Sequence, residues 1–79
     1  LKIINKPIKV LAIFNKDGSF EPAKFDFEDT PIRVQKIMKK YEEKAFGKTN
    51  IYFVCMHNGR DIFELKYVLE DSIWYLYKM

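Results

Sequence analysis

The sequence predicts an all-β, mainly antiparallel domain, and three observations carry that prediction. Turn-forming residues recur at short intervals: Asp17-Gly18, Asp29-Thr30-Pro31, Gly47-Lys48-Thr49-Asn50, Asn58-Gly59 and Asp71-Ser72. The runs between them are short and rich in Ile, Val, Phe and Tyr. Within several of them apolar and polar residues alternate, which is the period of a strand with one buried face. Seventy-nine residues suit one domain, residues 1–79, with the polar segment 1–6 expected as a flexible tail.

The first hairpin turns at Asp17-Gly18. Pairing about that turn sets Ile8 against Phe27, Val10 against Phe25 and Ala12 against Ala23. Lys9 then meets Asp26 on the outer face, an attractive cross-strand pair. Pro22 has no N–H to give to the ladder, so pairing is expected to loosen or bulge there.

Residues 31–46, PIRVQKIMKKYEEKAF, admit two readings. As a strand turning at Asp29-Thr30, Ile32 meets Phe27 and Val34 meets Phe25 on the inner face, while Arg33 meets Asp26 outside. Beyond Gln35 the alternation slips, and a bulge near Gln35–Lys36 would restore Ile37 to the core. That strand would run to about Lys40, with a mobile loop over 42–50. The alternative is α+β, with a helix over about 31–46. Thr30 would then cap the helix, Pro31 would be its first residue and Gly47 its stop. Val34, Met38, Tyr41 and Ala45 repeat at helical spacing.

The last two hairpins turn at Asn58-Gly59 and Asp71-Ser72. A two-residue turn at Asn58-Gly59 places Val54 opposite Phe63 and Tyr52 opposite Leu65. One face then holds Tyr52, Val54, Phe63, Leu65 and Tyr67. The other holds Phe53, Cys55, Ile62, Glu64 and Lys66, and its charges mark it as outer. The same rule at Asp71-Ser72 puts Trp74 and Leu76 in the core and Tyr75 and Tyr77 outside. The six strands span about 7–15, 20–28, 31–40, 50–57, 60–70 and 73–78. A meander this long in so short a chain should curl into a small, partly open, SH3-like barrel.

Little in the composition points to chemistry. Lys and Arg number 14 against 11 Asp and Glu, a net charge of +3. The basic residues Arg33, Lys36, Lys39, Lys40, Lys44 and Lys48 fall close together and form a candidate anion stripe. The plainer reading, a solvated, lysine-rich face, explains them better. The single cysteine, Cys55, precludes an intrachain disulfide and fits a reducing, cytoplasmic setting. No run approaches the roughly eighteen apolar residues of a membrane helix, and LKIINKPIKVLAIF does not read as a leader.

Cys55 and His57 share a strand face but lack an evident third group or oxyanion donors for nucleophilic catalysis. They are also too few for a zinc site. Glu42-Glu43 reads as a solvated pair rather than an acid/base couple. The three glycines, Gly18, Gly47 and Gly59, are turn residues and not a phosphate loop. The expectation is a protein with no catalytic centre, cofactor or metal.

What remains is surface. The outer face of the last three strands carries Phe53, Ile62, Lys66, Val68, Tyr75 and Tyr77, which need a cover. A helix over 31–46 would make that face a second core. A homodimer or a protein partner docking there would bury it. Stacking of single-stranded nucleic-acid bases on its rings, with Lys66 and the anion stripe on phosphates, is the third reading. The expected function is an interaction module, self-associating or docking a protein partner through this face; the alternative is a single-stranded nucleic-acid binder.

The runs IYFVC, NGRDIFELKY and WYLYKM, with PIKVLAIFNKDGSFEPAKFDFED before them, resemble a small bacterial all-β family of uncharacterised proteins. The resemblance covers most of the chain from Pro7 onward. It implies a compact β-rich domain and transfers no functional residue.

Overall fold

A computed structural model describes residues Leu1–Met79. Every regular element is a strand: β1 (Ile3–Ile8), β2 (Val10–Phe14), β3 (Phe20–Phe27), β4 (Thr30–Arg33), β5 (Lys36–Ala45), β6 (Lys48–His57), β7 (Asp61–Val68) and β8 (Ile73–Lys78). They form a five-stranded sheet in the order β1-β8-β7-β6-β5 and a three-stranded sheet in the order β2-β3-β4. All pairings are antiparallel.

The six expected strands become eight because two of them turn a corner. The chain leaves the large sheet after Ile8, which pairs with Trp74, and enters the small one at Val10, which pairs with Phe25. It returns at Val34–Gln35. There the Val34 N–H donates to the Ala23 carbonyl, and the next N–H, of Gln35, donates to the Met56 carbonyl. Bent strands that switch sheets are how two sheets enclose one core. The sheets are not joined into a closed barrel. Residues 1–6, expected as a tail, instead supply most of β1 and pair with β8.

The core lies between the sheets. Phe25 comes from the small sheet, and Ile51, Phe53, Cys55, Phe63, Leu65, Trp74 and Leu76 come from the large one. Ile8, Val10, Ala12, Phe20, Phe27, Ile32, Val34, Ile37 and Tyr67 pack around them. The helix over 31–46 does not form. Ile32 sits opposite Phe25, and Ile37 opposite Cys55. A strand bent at Gln35 delivers both to the core, whereas a helical stripe would leave Ile32 and Ile37 off its buried face. The slip in alternation is real: the corner falls at Gln35, and a register shift follows between Ile37 and Lys39.

The turns set the registers. Pairing of Phe27 with Thr30 makes Glu28-Asp29 the two-residue turn, with φ of 50° and 62°. Two positive φ values mark the twisted hairpin turn that suits flanking strands. This moves the expected register by two, so Ile32 stays inside. The segment 42–50 is not a loop. Ala45 pairs with Lys48 across Phe46-Gly47, another positive-φ turn, and the ladder runs unbroken through it. Near Pro22 the pairing shifts as expected, from Leu11–Lys24 to Ala12–Pro22, leaving Ala23 as the extra residue.

One register differs by a single residue. His57 pairs with Asp61, so the Asn58-Gly59 turn contains three residues, Arg60 included. A one-residue shift exchanges the two faces of a strand. Phe53 and Cys55 therefore point inward, opposite Leu65 and Phe63, and Tyr52 and Val54 point outward. In β8 the expected sides hold: Trp74 and Leu76 lie in the core, Tyr75 and Tyr77 outside.

Candidate functional site

The outer face of the five-stranded sheet gathers side chains from four of its strands. Tyr41 and Glu43 come from β5, Tyr52 and Val54 from β6, Ile62, Glu64 and Lys66 from β7, and Tyr75 and Tyr77 from β8. Of the chain's five tyrosines, only Tyr67 lies on the inner side, so this face holds the other four.

These rings are fixed in place. Tyr41 sits opposite Tyr52 across the β5–β6 ladder, and the rings stack with centroids 4.7 Å apart. Tyr77 tilts against Tyr52 at 5.1 Å. The Tyr41 hydroxyl donates to Glu64 Oε2 at 2.5 Å, and the Tyr52 hydroxyl donates to Glu43 Oε1 at 3.2 Å. Tyr52 and Glu64 are each only 5% exposed although they face away from the core. Lateral packing of neighbouring rings buries them, with no second sheet above.

Lys66 completes the arrangement. Its ammonium lies 4.7 Å from the Tyr75 ring centre and 5.1 Å from that of Tyr77, within cation–π range. It donates to Asn5 Oδ1 at 2.7 Å. Lys39 lies over Tyr41 in the same way, at 5.3 Å.

The environment perturbs several of these groups. Burial, followed by the hydrogen bond to Glu64, raises the Tyr41 phenol well above its ordinary value. Burial and the neighbouring Glu43 carboxylate push Tyr52 up to about 12. Burial lowers Lys66. Burial penalises the charged form in each case. The Tyr41 and Tyr52 hydroxyls are therefore held neutral and committed to Glu64 and Glu43.

Of the candidate face residues, Ile62, Lys66, Tyr75 and Tyr77 lie together on this surface, each half-buried. Phe53 does not: it is a core residue, 1% exposed, because of the three-residue turn. Val68, the last residue of β7 before the β7–β8 turn, is on the outer side but buried. That turn is held by Glu70 accepting from the Thr49 N–H and by the Lys48–Asp71 ion pair, both at 2.7 Å. Tyr41, Glu43, Tyr52 and Glu64 were not among the sequence candidates. Pairing Tyr41 with Tyr52 required β5 to continue past Lys40.

The basic stripe is divided by the fold. Lys36 and Lys39 pair with Met56 and Val54 on the outer side of β5, next to the tyrosines. Lys40 pairs with Phe53 on the opposite side, its ammonium over the Phe20 and Phe53 rings. Lys44 shares that side, opposite Thr49. Lys48 is engaged by Asp71, and Arg33 stands on the small sheet opposite Lys24.

Cys55 is fully buried, and burial pushes its thiol up to about 12, away from the reactive thiolate. Its sulfur donates to the Phe53 carbonyl, while His57 Nδ1 lies 2.9 Å from the Arg33 carbonyl. No three His, Cys, Asp or Glu side chains cluster as metal ligands would. No protein-family model, curated protein or solved structure matches the chain.

Proposed function

We propose that this small all-β domain is an interaction module that docks a protein partner through the tyrosine face of its five-stranded sheet. The observation that carries this reading is the gathering of four tyrosines on one outer face, three of them fixed by stacking or carboxylate bonds and the fourth, Tyr75, under the Lys66 ammonium. Tyrosine supplies a large, amphipathic contact area with little rotamer freedom to lose, which is why interfaces favour it. Here that freedom is already spent in the free protein, so docking orders little further.

The rim gives the partner's chemistry. The two carboxylates of the face are engaged by tyrosine hydroxyls, whereas Lys36 and Lys39 stand at its β5 margin. A complementary partner offers an apolar centre with an acidic border. Single-stranded nucleic acid is favoured less. Tyr41 and Tyr52 stack on one another, and the Lys66 ammonium covers Tyr75 and Tyr77, so their faces are occupied where bases would need them open.

Photo-crosslinking tests this reading. A benzophenone amino acid placed at Tyr75 should yield a discrete protein adduct in extract of the source cells. Tyr77→Ser should abolish the adduct, and a probe at Lys24, on the small sheet, should not give it. Amide NMR spectra should stay unchanged on adding short single-stranded RNA or DNA. The same adduct from position 24, or oligonucleotide shifts at Lys66, Tyr75 and Tyr77 that fade with salt, would overturn the proposal.

A further inference from the structure

The molecule has four sheet edges, and three are defended against pairing with another strand. β1 carries Pro7 and a register break at Asn5. β4 has four residues, Pro31 among them. β5 carries Lys36, Lys39, Lys40, Glu42, Glu43 and Lys44. Prolines, bulges, short length and charge are the standard means of blunting an edge. β2, with the sequence VLAIF, is also short at five residues but carries no proline and no charge. It pairs with β3 only, and Leu11, Ile13 and Phe14 are 61%, 48% and 68% exposed.

The backbone of β2 is also oriented for addition. The Lys9 carbonyl accepts from the Asp26 N–H, and Asn15 both donates to the Ser19 carbonyl and accepts from the Gly18 N–H. Both ends of β2 are thus turned toward the β3 side. Successive residues of a strand direct their polar groups to alternate sides. Val10, Ala12 and Phe14 therefore turn their N–H and C=O groups to the free edge.

We propose that this edge pairs with β2 of a second copy of the chain, antiparallel about a two-fold axis at Ala12, which joins the small sheets into one continuous sheet. The occupant follows from self-complementarity. In this register Ala12 meets Ala12 of the second copy, the small residue lying at the axis, and Val10 meets Phe14. Each of these pairs exchanges two backbone hydrogen bonds, using the groups that face the free edge. On the outer face Leu11 of each copy meets Ile13 of the other, and four exposed apolar side chains cover one another. Lys24 and Glu21, opposite Leu11 and Ile13 in β3, border that cluster.

The charges fit only this direction. Lys9 falls opposite the uncharged Asn15 of the second copy. A parallel pairing about the same centre would set Lys9 against Lys9 and Lys16 against Lys16, which like charges disfavour. An isologous contact of this kind closes as a dimer. It lies on the small sheet and leaves the tyrosine face free.

Sedimentation velocity of the wild-type protein across a wide concentration range, with amide exchange measured at both ends of that range, tests the proposal. The expected result is a concentration-dependent dimer in which the Val10, Ala12 and Phe14 amides gain protection. Ile13→Lys removes both Leu11–Ile13 contacts without touching the core and should weaken the dimer about tenfold. The double variant Leu11→Glu/Ile13→Lys should restore it, because each introduced lysine meets the introduced glutamate of the other copy. Urea melts of the variants verify that they remain folded. A monomer at every concentration, a dimer indifferent to Ile13→Lys, or a double variant no tighter than the single one would each overturn the proposal.

Discussion

The two faces of the five-stranded sheet are both aromatic, yet they are held by different physics. β8 belongs to both: Trp74 and Leu76 point in, Tyr75 and Tyr77 point out. Inside, Trp74 packs on Tyr67 and Phe53 with ring centroids at 4.8 and 5.5 Å, and what stabilises it is area removed from water. Outside, the tyrosines stack laterally, and Tyr41 and Tyr52 end in hydrogen bonds to carboxylates. The inner layer cannot lose a ring without opening a cavity. The outer layer can be thinned, because water fills the space, but its polar pairs cannot be halved cheaply. Substitutions on the two sides should therefore differ in size and in kind.

The largest effect is expected at Trp74. Trp74→Ala removes a ring that is 8% exposed and touches Phe20, Phe53 and Tyr67. Loss of a buried aromatic costs about 3–5 kcal/mol. A domain this small has little more stability than that to lose. A urea melt should show the variant largely unfolded without denaturant. A small shift in midpoint would mean that the inner layer does not carry the fold.

A middle-sized effect is expected from a change of one atom on the outer face. Tyr41→Phe keeps the stack on Tyr52 but takes the hydroxyl from Glu64, a carboxylate that is 5% exposed. Leaving a buried acceptor without its donor costs about 1–3 kcal/mol. Replacing both members with apolar groups should recover much of the loss, because no polar group is then stranded. The measurement is a double-mutant cycle of Tyr41→Phe and Glu64→Leu by urea melts. Additive losses would show that the hydroxyl–carboxylate bond does not hold the outer layer.

How much of this was legible in the sequence depended on where charge interrupted the strands. In β7, Glu64 and Lys66 label one face as outer, and the prediction for that strand holds. β8 inherits its sides from β7 through a register shifted by two from the expected one, so its sides hold too. In β6 the run IYFVCM has no charged residue on either face, so alternation cannot choose between Tyr52 and Phe53. The choice fell to the Asn58-Gly59 turn, and these residues serve a three-residue loop as readily as a two-residue one. One residue of turn length moved Phe53 from surface to core and hid Tyr52 from view.

β5 was legible only in part. The strand was expected to about Lys40, but beyond it the edge strand is polar on both sides, with KKYEEK at its centre, and its own residues read there as a loop. Only its pairing with β6 makes it a strand. The candidate site was half legible for that reason: Lys66, Tyr75 and Tyr77 sit on strands whose sides are marked by charge, while Tyr41 and Tyr52 do not.

The smallest effect on stability is expected at Tyr77, and it separates folding from recognition most cleanly. Tyr77 tilts against Tyr52 and lies under the Lys66 ammonium, so it is not the free surface residue that outer placement alone suggests. Tyr77→Ala loses one aromatic pair and one partly solvated cation–π contact, about 1–2 kcal/mol together. The core beneath it is undisturbed, because Tyr77 and Leu76 point to opposite sides of the sheet. The urea midpoint should move slightly, and the amide shifts of Tyr52 and Lys66 should change while those of Phe63 and Leu65 do not. If Tyr77→Ala instead costs as much as Trp74→Ala, the outer tyrosines are a second core, and their burial is explained by folding with no partner required.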